Sequence, residues 1–496
     1  MDETGNVLAV HTTSHSMHSP RPGYYEHDAD KDWWGDFCTI SKALLQKTGL
    51  PASSISALGL SALGADCLPV DKDCNPLRPA ILYGIDARAT AEMEELTNLY
   101  GEDQIKQWYG RELCSSDVMP KILWIKHNEP EIYEKTHKFL TGSSFLTAKL
   151  TGEYVIDRFL GLASFNPLYN PVTHQPDEKL CAPICRPDQL ARIKEAAEIA
   201  GYITEKAAAE TGLAVGTPVI TGTDDSGAEA ISSGVVSPGK MMLQLGSSVY
   251  MILGTKTLVD DPLLWREEFI VPGLCDISAG TNTAGSLTKW CRDAFYEEAI
   301  AVEQAGGKDA YEIMMDSLGD IPPGSNGLLT LPYFAGERTP VNDPKAKGLL
   351  IGLTLSHTKE HIYKSILESV GFSICQQIRI MESHPEVQLD SIYAVGGGAK
   401  NEIWLQIIAD ITGKDLLIPE QTIGAAFGDA LMAALAIQHP GFEDYEKLTN
   451  HIQIKKVIHP NPAHHELYAS YQKLYDELYP ATKVLMHQLD AITTFI

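Results

Sequence analysis

No run of apolar residues in this 496-residue sequence is long enough to cross a bilayer. The polar, glycine-containing start Met1–Leu8 has no signal-peptide core. Nine cysteines are scattered between Cys38 and Cys375 with no C-x-x-C among them, so neither a disulfide framework nor a structural zinc site is expected. A reducing cytoplasm is the expected setting. Positive charge is scarce: 39 Lys and Arg stand against 65 Asp and Glu, a net charge of −26. Such an excess repels nucleic acid and anionic membrane, and neither is expected as a partner. It does not bar a nucleotide, because backbone N–H groups in a local loop can hold phosphates whatever the net charge. Short-period repeats, low-complexity tracts and the G-x-G-x-x-G dinucleotide fingerprint are missing as well.

What remains is globular. With 44% apolar residues a large core is available, and the length fits two to four domains at roughly 100–200 residues each. Gly5–Val10 reads as a turn running into a strand, and Asp28–Leu45 as an acidic-fronted helical stretch. Ile55–Leu60 and Leu77–Leu82 read as strands. Further on, Lys240–Leu245, Gly246-Ser247-Ser248 and Val249–Leu253 read as strand, tight turn and strand. Gly285–Phe295 and His361–Glu382 read as helices. The apolar strand Ser391–Val395 leads into Gly396-Gly397-Gly398-Ala399 and a helix from Asn401. Strands alternating with helices in both halves predict an α/β protein with two sheets. The expected domains are residues 1–226 and 227–496.

Three places could carry chemistry. Asp224-Asp225 ends a strand just before a helix, where open α/β sheets place ligands, and a carboxylate there can accept a proton from a substrate hydroxyl. Either aspartate could instead cap the helix. Gly246-Ser247-Ser248 can hold phosphate oxygens or serve only as a hairpin turn. The three glycines after Val395 let a flat ring or a phosphate approach the backbone, or allow tight strand-to-helix packing. His11, His15 and His18 sit in a polar context that does not suggest metal binding, and Tyr468, Tyr471 and Tyr475 read as packing residues.

Taken together and in this order, these segments resemble the FGGY family of carbohydrate kinases, most closely its xylulose-kinase-like branch. Gly348-Leu349-Leu350-Ile351-Gly352-Leu353 followed by His361-Ile362-x-x-Ser365-Ile366-Leu367-Glu368 matches the family's second signature. Lys121–Asn128 meets the first signature in part, departing upstream and at His127. Arg78–Leu82, Gly336-Glu337-Arg338-Thr339-Pro340 and the Tyr-rich tail also resemble the family. The resemblance implies a two-domain actin-like (ribonuclease-H-like) ATPase fold, with sugar on the first domain and ATP mostly on the second. It implies ATP-dependent phosphorylation of a sugar or polyol, with Mg²⁺ on the ATP phosphates beside Asp225, and it allows a homodimer. Carried over, Asp225 is the base. Gly64, Ala65, Asp66, Asp86, Arg88 and Asp224 line the sugar, Arg88 alternatively holding Asp86 in place. Gly246, Ser247, Ser248, Gly285, Gly397, Gly398, Ala399 and Asn401 contact ATP.

The sequence departs from the family pattern twice. Family members begin with a strand and a D-x-G-T-T/S phosphate loop upstream of the turn at Glu3-Thr4-Gly5, and this strand and loop are missing from the chain. Without that cradle, sugar binding with poor phosphate transfer is expected, and a non-catalytic sugar- or nucleotide-binding sensor is the alternative. Xylulose kinases also carry Gln-Met-His-Gly where this chain has Leu63-Gly64-Ala65-Asp66, so xylulose itself is not implied as the acceptor.

Overall fold

Apolar runs ended by glycine, such as Lys240–Leu245 and Ser391–Val395, become central strands of one mixed sheet in a computed structural model that describes residues 1–319 and 321–493. Its seven strands lie in the order Trp265–Glu268, Cys275–Thr281, Val249–Thr255, Lys240–Leu245, Ser391–Val395, Leu416–Pro419, Ile454–Ile458. Lys240–Leu245, Ser391–Val395 and Leu416–Pro419 run parallel at its centre, while Val249–Thr255 and Ile454–Ile458 pair antiparallel to their neighbours. Strands of this kind are covered on both faces, which is why Met241–Leu243 are all buried and the sequence runs apolar without alternation. The expected tight turn is there, with Leu245 opposite Val249 across Gly246-Ser247-Ser248.

The chain divides into two units. The first is Met1–Val236, Glu267–Cys275 and Ile423–Ile452; the second is Ser237–Arg266, Asp276–Thr422 and Gln453–Ile496. The helix Asp225–Ser232, which a boundary at 226 would cut, lies whole in the first unit. So does the small-residue helix Ala425–Ala436, although the sequence places it far downstream.

In the second unit the helix Lys359–Glu382 is the central rod, buried without a break from Ser365 to Cys375. Glu402–Thr412 and the terminal helix Pro462–Thr493 pack beside it. Tyr468 and Tyr475 are buried against Phe372, with ring centroids 5.8 and 5.4 Å away.

The first unit differs from expectation. Its strands form only two-stranded pieces, such as Ser61–Ala62 parallel to Thr223–Asp224 and Ile199–Tyr202 antiparallel to Pro218–Ile220. Val7–Val10 is not a strand: its residues find no ladder partner among the described residues, and Leu8 and Val10 stay exposed. The strand expected at Ile55–Leu60 is reduced to one bridge, Leu58 beside Val219, and the ladder begins only at Ser61. Among the described residues no helix is long and apolar enough to cross a membrane.

Candidate active site

In the first unit, Gly222 turns the chain with φ 79°, and a Cβ there would stand 2.4 Å from the Leu60 carbonyl oxygen. Thr223–Asp224 then pairs with Ser61–Ala62, and the helix Asp225–Ser232 begins. The two adjacent carboxylates take different tasks. Asp224 is buried and caps the helix, accepting from the Gly227 N–H at 2.9 Å and the Ser226 hydroxyl at 2.5 Å. Asp225 accepts only from the Ser226 N–H, at 2.9 Å, and its side chain stays exposed. The protein around it still displaces much of the nearby water. That desolvation, with the negative Asp224 alongside, pushes the Asp225 carboxyl up to about 7.

Asp429 joins this group. It is the one carboxylate of the helix Ala425–Ala436, which packs on Asp225–Ser232 so closely that a Cβ on Gly428 would lie 1.9 Å from the Ala228 oxygen. Its Oδ2 accepts from the Ser61 hydroxyl at 2.7 Å, while its buried Oδ1 has no hydrogen-bond partner. Burial pushes it up to about 7, with Asp225 and Asp224 adding to the shift.

The predicted sugar residues fall into two sets. Asp66 is fully buried: its Oδ1 accepts from the Tyr83 N–H at 2.8 Å and its Oδ2 has no hydrogen-bond partner. Burial pushes it up to about 7, opposed by the Lys121 ammonium and reinforced by Asp225. Ala65 is fully buried beside it, and Gly64 lies under the Tyr83 ring, where a Cβ would be 2.9 Å from the nearest ring atoms. Asp86 and Arg88 are engaged elsewhere. The Asp86 carboxylate accepts from the Tyr25 N–H at 2.6 Å, the Arg88 N–H at 3.0 Å and the Arg88 guanidinium at 2.8–2.9 Å. Arg88 also donates to Glu26 at 2.8 Å and faces the Tyr24 ring.

In the second unit, two glycine turns sit at the ends of adjacent parallel strands, since Gln244 pairs with Val395. The Gly246 and Ser247 carbonyls accept from the Gly285, Ala284 and Ser286 N–H groups at 2.9–3.0 Å, tying the hairpin turn to the start of the helix Gly285–Phe295. A Cβ on Gly285 would lie 2.6 Å from the Gly246 oxygen, so only glycine permits this approach. In the other turn, a Cβ on Gly397 would meet nothing within 4 Å, whereas one on Gly398 would lie 2.8 Å from Leu245 Cβ and 2.9 Å from the Trp404 ring. Ala399 packs on the core, and the Asn401 side chain caps Glu402–Thr412 by accepting from the Trp404 N–H at 2.9 Å. Gly397 is thus the position whose missing side chain leaves an open surface.

The signature residue Glu368 has a structural task. Buried in the central helix, it accepts from the Gly324 N–H and the Tyr468 hydroxyl, both at 2.8 Å, and from the Ser325 hydroxyl at 2.7 Å. In the Gly336–Pro340 loop, Glu337 is buried and accepts from the Arg338 and Asn282 N–H groups at 2.7 and 3.0 Å. Asp343 anchors the loop's return to the terminal helix through Tyr479 at 2.5 Å and His487 at 2.6 Å. Sequence reasoning gave no role to Lys121 or Asp429. In each case the available signal was a lone charged residue in a helix face that is otherwise apolar.

Residues 1–232 match the N-terminal domain of the FGGY family of carbohydrate kinases, and residues 241–437 match its C-terminal domain. A xylulose kinase of Staphylococcus epidermidis is 27% identical over 496 residues, covering 99% of this chain and 96% of that protein. An autoinducer-2 kinase of Salmonella typhimurium is 27% identical over 476 residues, covering 94% of this chain and 88% of that protein. Among solved structures, the xylulose kinase from Rhodospirillum rubrum superposes with a TM-score of 0.83 at 26% identity, covering 95% of this chain and 93% of that one.

Proposed function

The chain belongs to the FGGY family of carbohydrate kinases and is an ATP-dependent carbohydrate kinase, and we propose that Asp225 is the base that prepares its acceptor hydroxyl. The observation that carries this reading is the division of labour at the strand end. Asp224 is spent on the helix cap, and Asp225 keeps an exposed carboxylate poised near neutral pH. A group with that proton affinity can accept a proton from an alcohol as the oxygen attacks and release it again afterwards. Asp66, Gly64 and Ala65 form the acceptor side, with Asp86 and Arg88 bracing the Tyr83–Arg88 segment behind it.

The second unit holds the nucleotide. The turn Gly246–Ser248 with its two small hydroxyl side chains, the helix start at Gly285 and the open backbone at Gly397 present little side-chain bulk, which suits phosphates and a flat base. ATP supplies the phosphoryl group, and Mg²⁺ neutralises charge on its phosphates. Asp225 would be the residue to hold the cation, which when bound would supply charge neutralisation for the phosphoryl group in transfer. Asp225 accepts the proton of the acceptor hydroxyl while that oxygen bonds to the γ-phosphorus and ADP departs. The alternative of a non-catalytic sensor is not favoured, because the kinase relatives match across nearly the whole chain.

Asp225→Asn keeps the shape and removes the base. Turnover in a sugar- and polyol-dependent ATP consumption assay is expected to fall about 10²-fold or more with folding intact. Near-normal turnover would overturn the assignment.

A further inference from the structure

We infer that Asp66 selects the acceptor by charge, admitting neutral polyhydroxy compounds such as ketoses and polyols and rejecting sugar acids. This rests on the first unit being the acceptor side of the kinase. The Asp66 carboxylate does more than its local fold requires. Its Oδ1 bond to the Tyr83 N–H could be made equally well by an asparagine; the charge answers the buried Lys121 ammonium, and the second oxygen is left unexplained by packing. That second oxygen is buried with no hydrogen-bond partner. It lies 3.8 Å from the point where a Cβ would stand on Gly142, and the Trp33 ring edge is equally close to that point. A buried acceptor left unpaired is costly, and donated hydroxyl hydrogens are what offset it.

The surroundings determine which ligand can supply them. Asp225 acts on Asp66 and Asp429, and Asp224 acts on Asp225, Asp429 and Glu267. Each is a carboxyl that burial already pushes upward. The cations of this unit that lie nearby are committed. Arg88 pairs with Asp86 and Glu26, Arg78 with Glu26 and Glu129, and Arg111 with Asp117. Lys121 is buried, donates to the Leu82 carbonyl at 2.9 Å and already offsets Asp66. A ligand carboxylate would therefore add negative charge to an acidic group with no protein cation left to pair with it, whereas a hydroxymethyl group at the same place donates a hydrogen bond.

The test compares pairs that differ at one carbon, such as xylitol against xylonate and glucitol against gluconate, within a panel of four- to six-carbon ketoses, polyols and matching acids. Binding to the full chain is measured by calorimetry at pH 8, and ATP consumption is followed in parallel. The neutral member is expected to bind at least about tenfold more tightly in the wild type. Asp66→Asn is expected to narrow that ratio at least fivefold while a cooperative urea transition of the first unit, the one ATP does not move, shows that this unit still folds. Equal or tighter binding of the acids by the wild type overturns the inference even if the variant does not fold. An unchanged ratio in a variant whose first unit still folds overturns it too. An acid phosphorylated as fast as its neutral partner sinks the inference and leaves the kinase reading standing. A panel with no binding and no ATP consumption sinks the acceptor-side reading itself, and this inference with it.

Discussion

Glu368→Ala removes the acceptor for three donors in the core of the second unit. These are the Gly324 N–H, the Tyr468 hydroxyl and the Ser325 hydroxyl, all within 2.7–2.8 Å of the carboxylate. Each buried donor left unsatisfied costs about 1–3 kcal/mol. The hydroxyls can rotate toward other partners and recover part of this, while the emptied volume adds a further cost, so the loss should be about 4 kcal/mol. The assay is urea unfolding followed by circular dichroism. The second unit's transition is identified as the one that ATP moves, since a ligand stabilises only the state that binds it. Glu368→Gln keeps the shape and an acceptor, and should stay within about 1 kcal/mol of wild type near pH 5. The pH dependence separates the two further. Burial pushes the folded carboxyl up to about 7 from an ordinary 4.5. Protonated Glu368 therefore favours the fold fully below about 4.5, and this contribution is lost as pH rises through about 7. Between pH 5 and 8 the wild type should lose stability relative to the glutamine variant. An alanine variant within about 1 kcal/mol of wild type would refute the assignment of these three bonds as stabilising.

Gly397→Val should weaken ATP binding about tenfold or more by calorimetry with the melting temperature unchanged, because its Cβ enters open space; Gly398→Val should lower the melting temperature, because its Cβ meets Leu245 and Trp404. Gly428→Ala should force the helix Ala425–Ala436 off Asp225–Ser232, costing about 3 kcal/mol or more in denaturant titration and lowering turnover with it. Asp343, held down to about 2 by Tyr479, His487 and the Lys345 N–H, adds stability that is present above its ordinary 3.8 and lost as pH falls through about 2. Acid unfolding of Asp343→Asn should lack that component, and an identical acid profile in the two proteins would refute it.

The centre of the second unit's sheet was legible because Lys240–Leu245, Val249–Leu253 and Ser391–Val395 are largely apolar runs ended by glycine, whereas Trp265–Glu268 and Ile454–Ile458 at its edges carry charged residues and were not read as strands. The terminal helix was harder to read. Its core contacts are made by tyrosines, and Pro480 stands inside a 32-residue helix where proline ordinarily argues for a break. In the active site, two identical carboxylates in sequence carry no mark of which will cap; the backbone at Asp224, extended just before the helix, decides it. The spacing Asp86-x-Arg88 suggested either a ligand pair or Arg88 holding Asp86; Arg88 does donate to Asp86, and the pair also bonds to Tyr25 and Glu26, residues some sixty positions away that no local pattern connects to it. Asp429 was invisible for the same reason, since its partner Ser61 lies at the other end of the chain.

That distance has a consequence for how the protein is made. Ile423–Ile452 supplies the helix that covers Asp225–Ser232, so the first unit draws on chain made after Asp276–Thr422 of the second unit. A nascent chain extending only to Val236 holds all the predicted sugar-side residues but not Asp429 or the Gly428 contact that seats the helix Asp225–Ser232. The usual order, in which an N-terminal domain folds while the rest is still being synthesised, is therefore closed to it. The first unit can be completed only once most of the second has been made, which couples the folding of the two during synthesis.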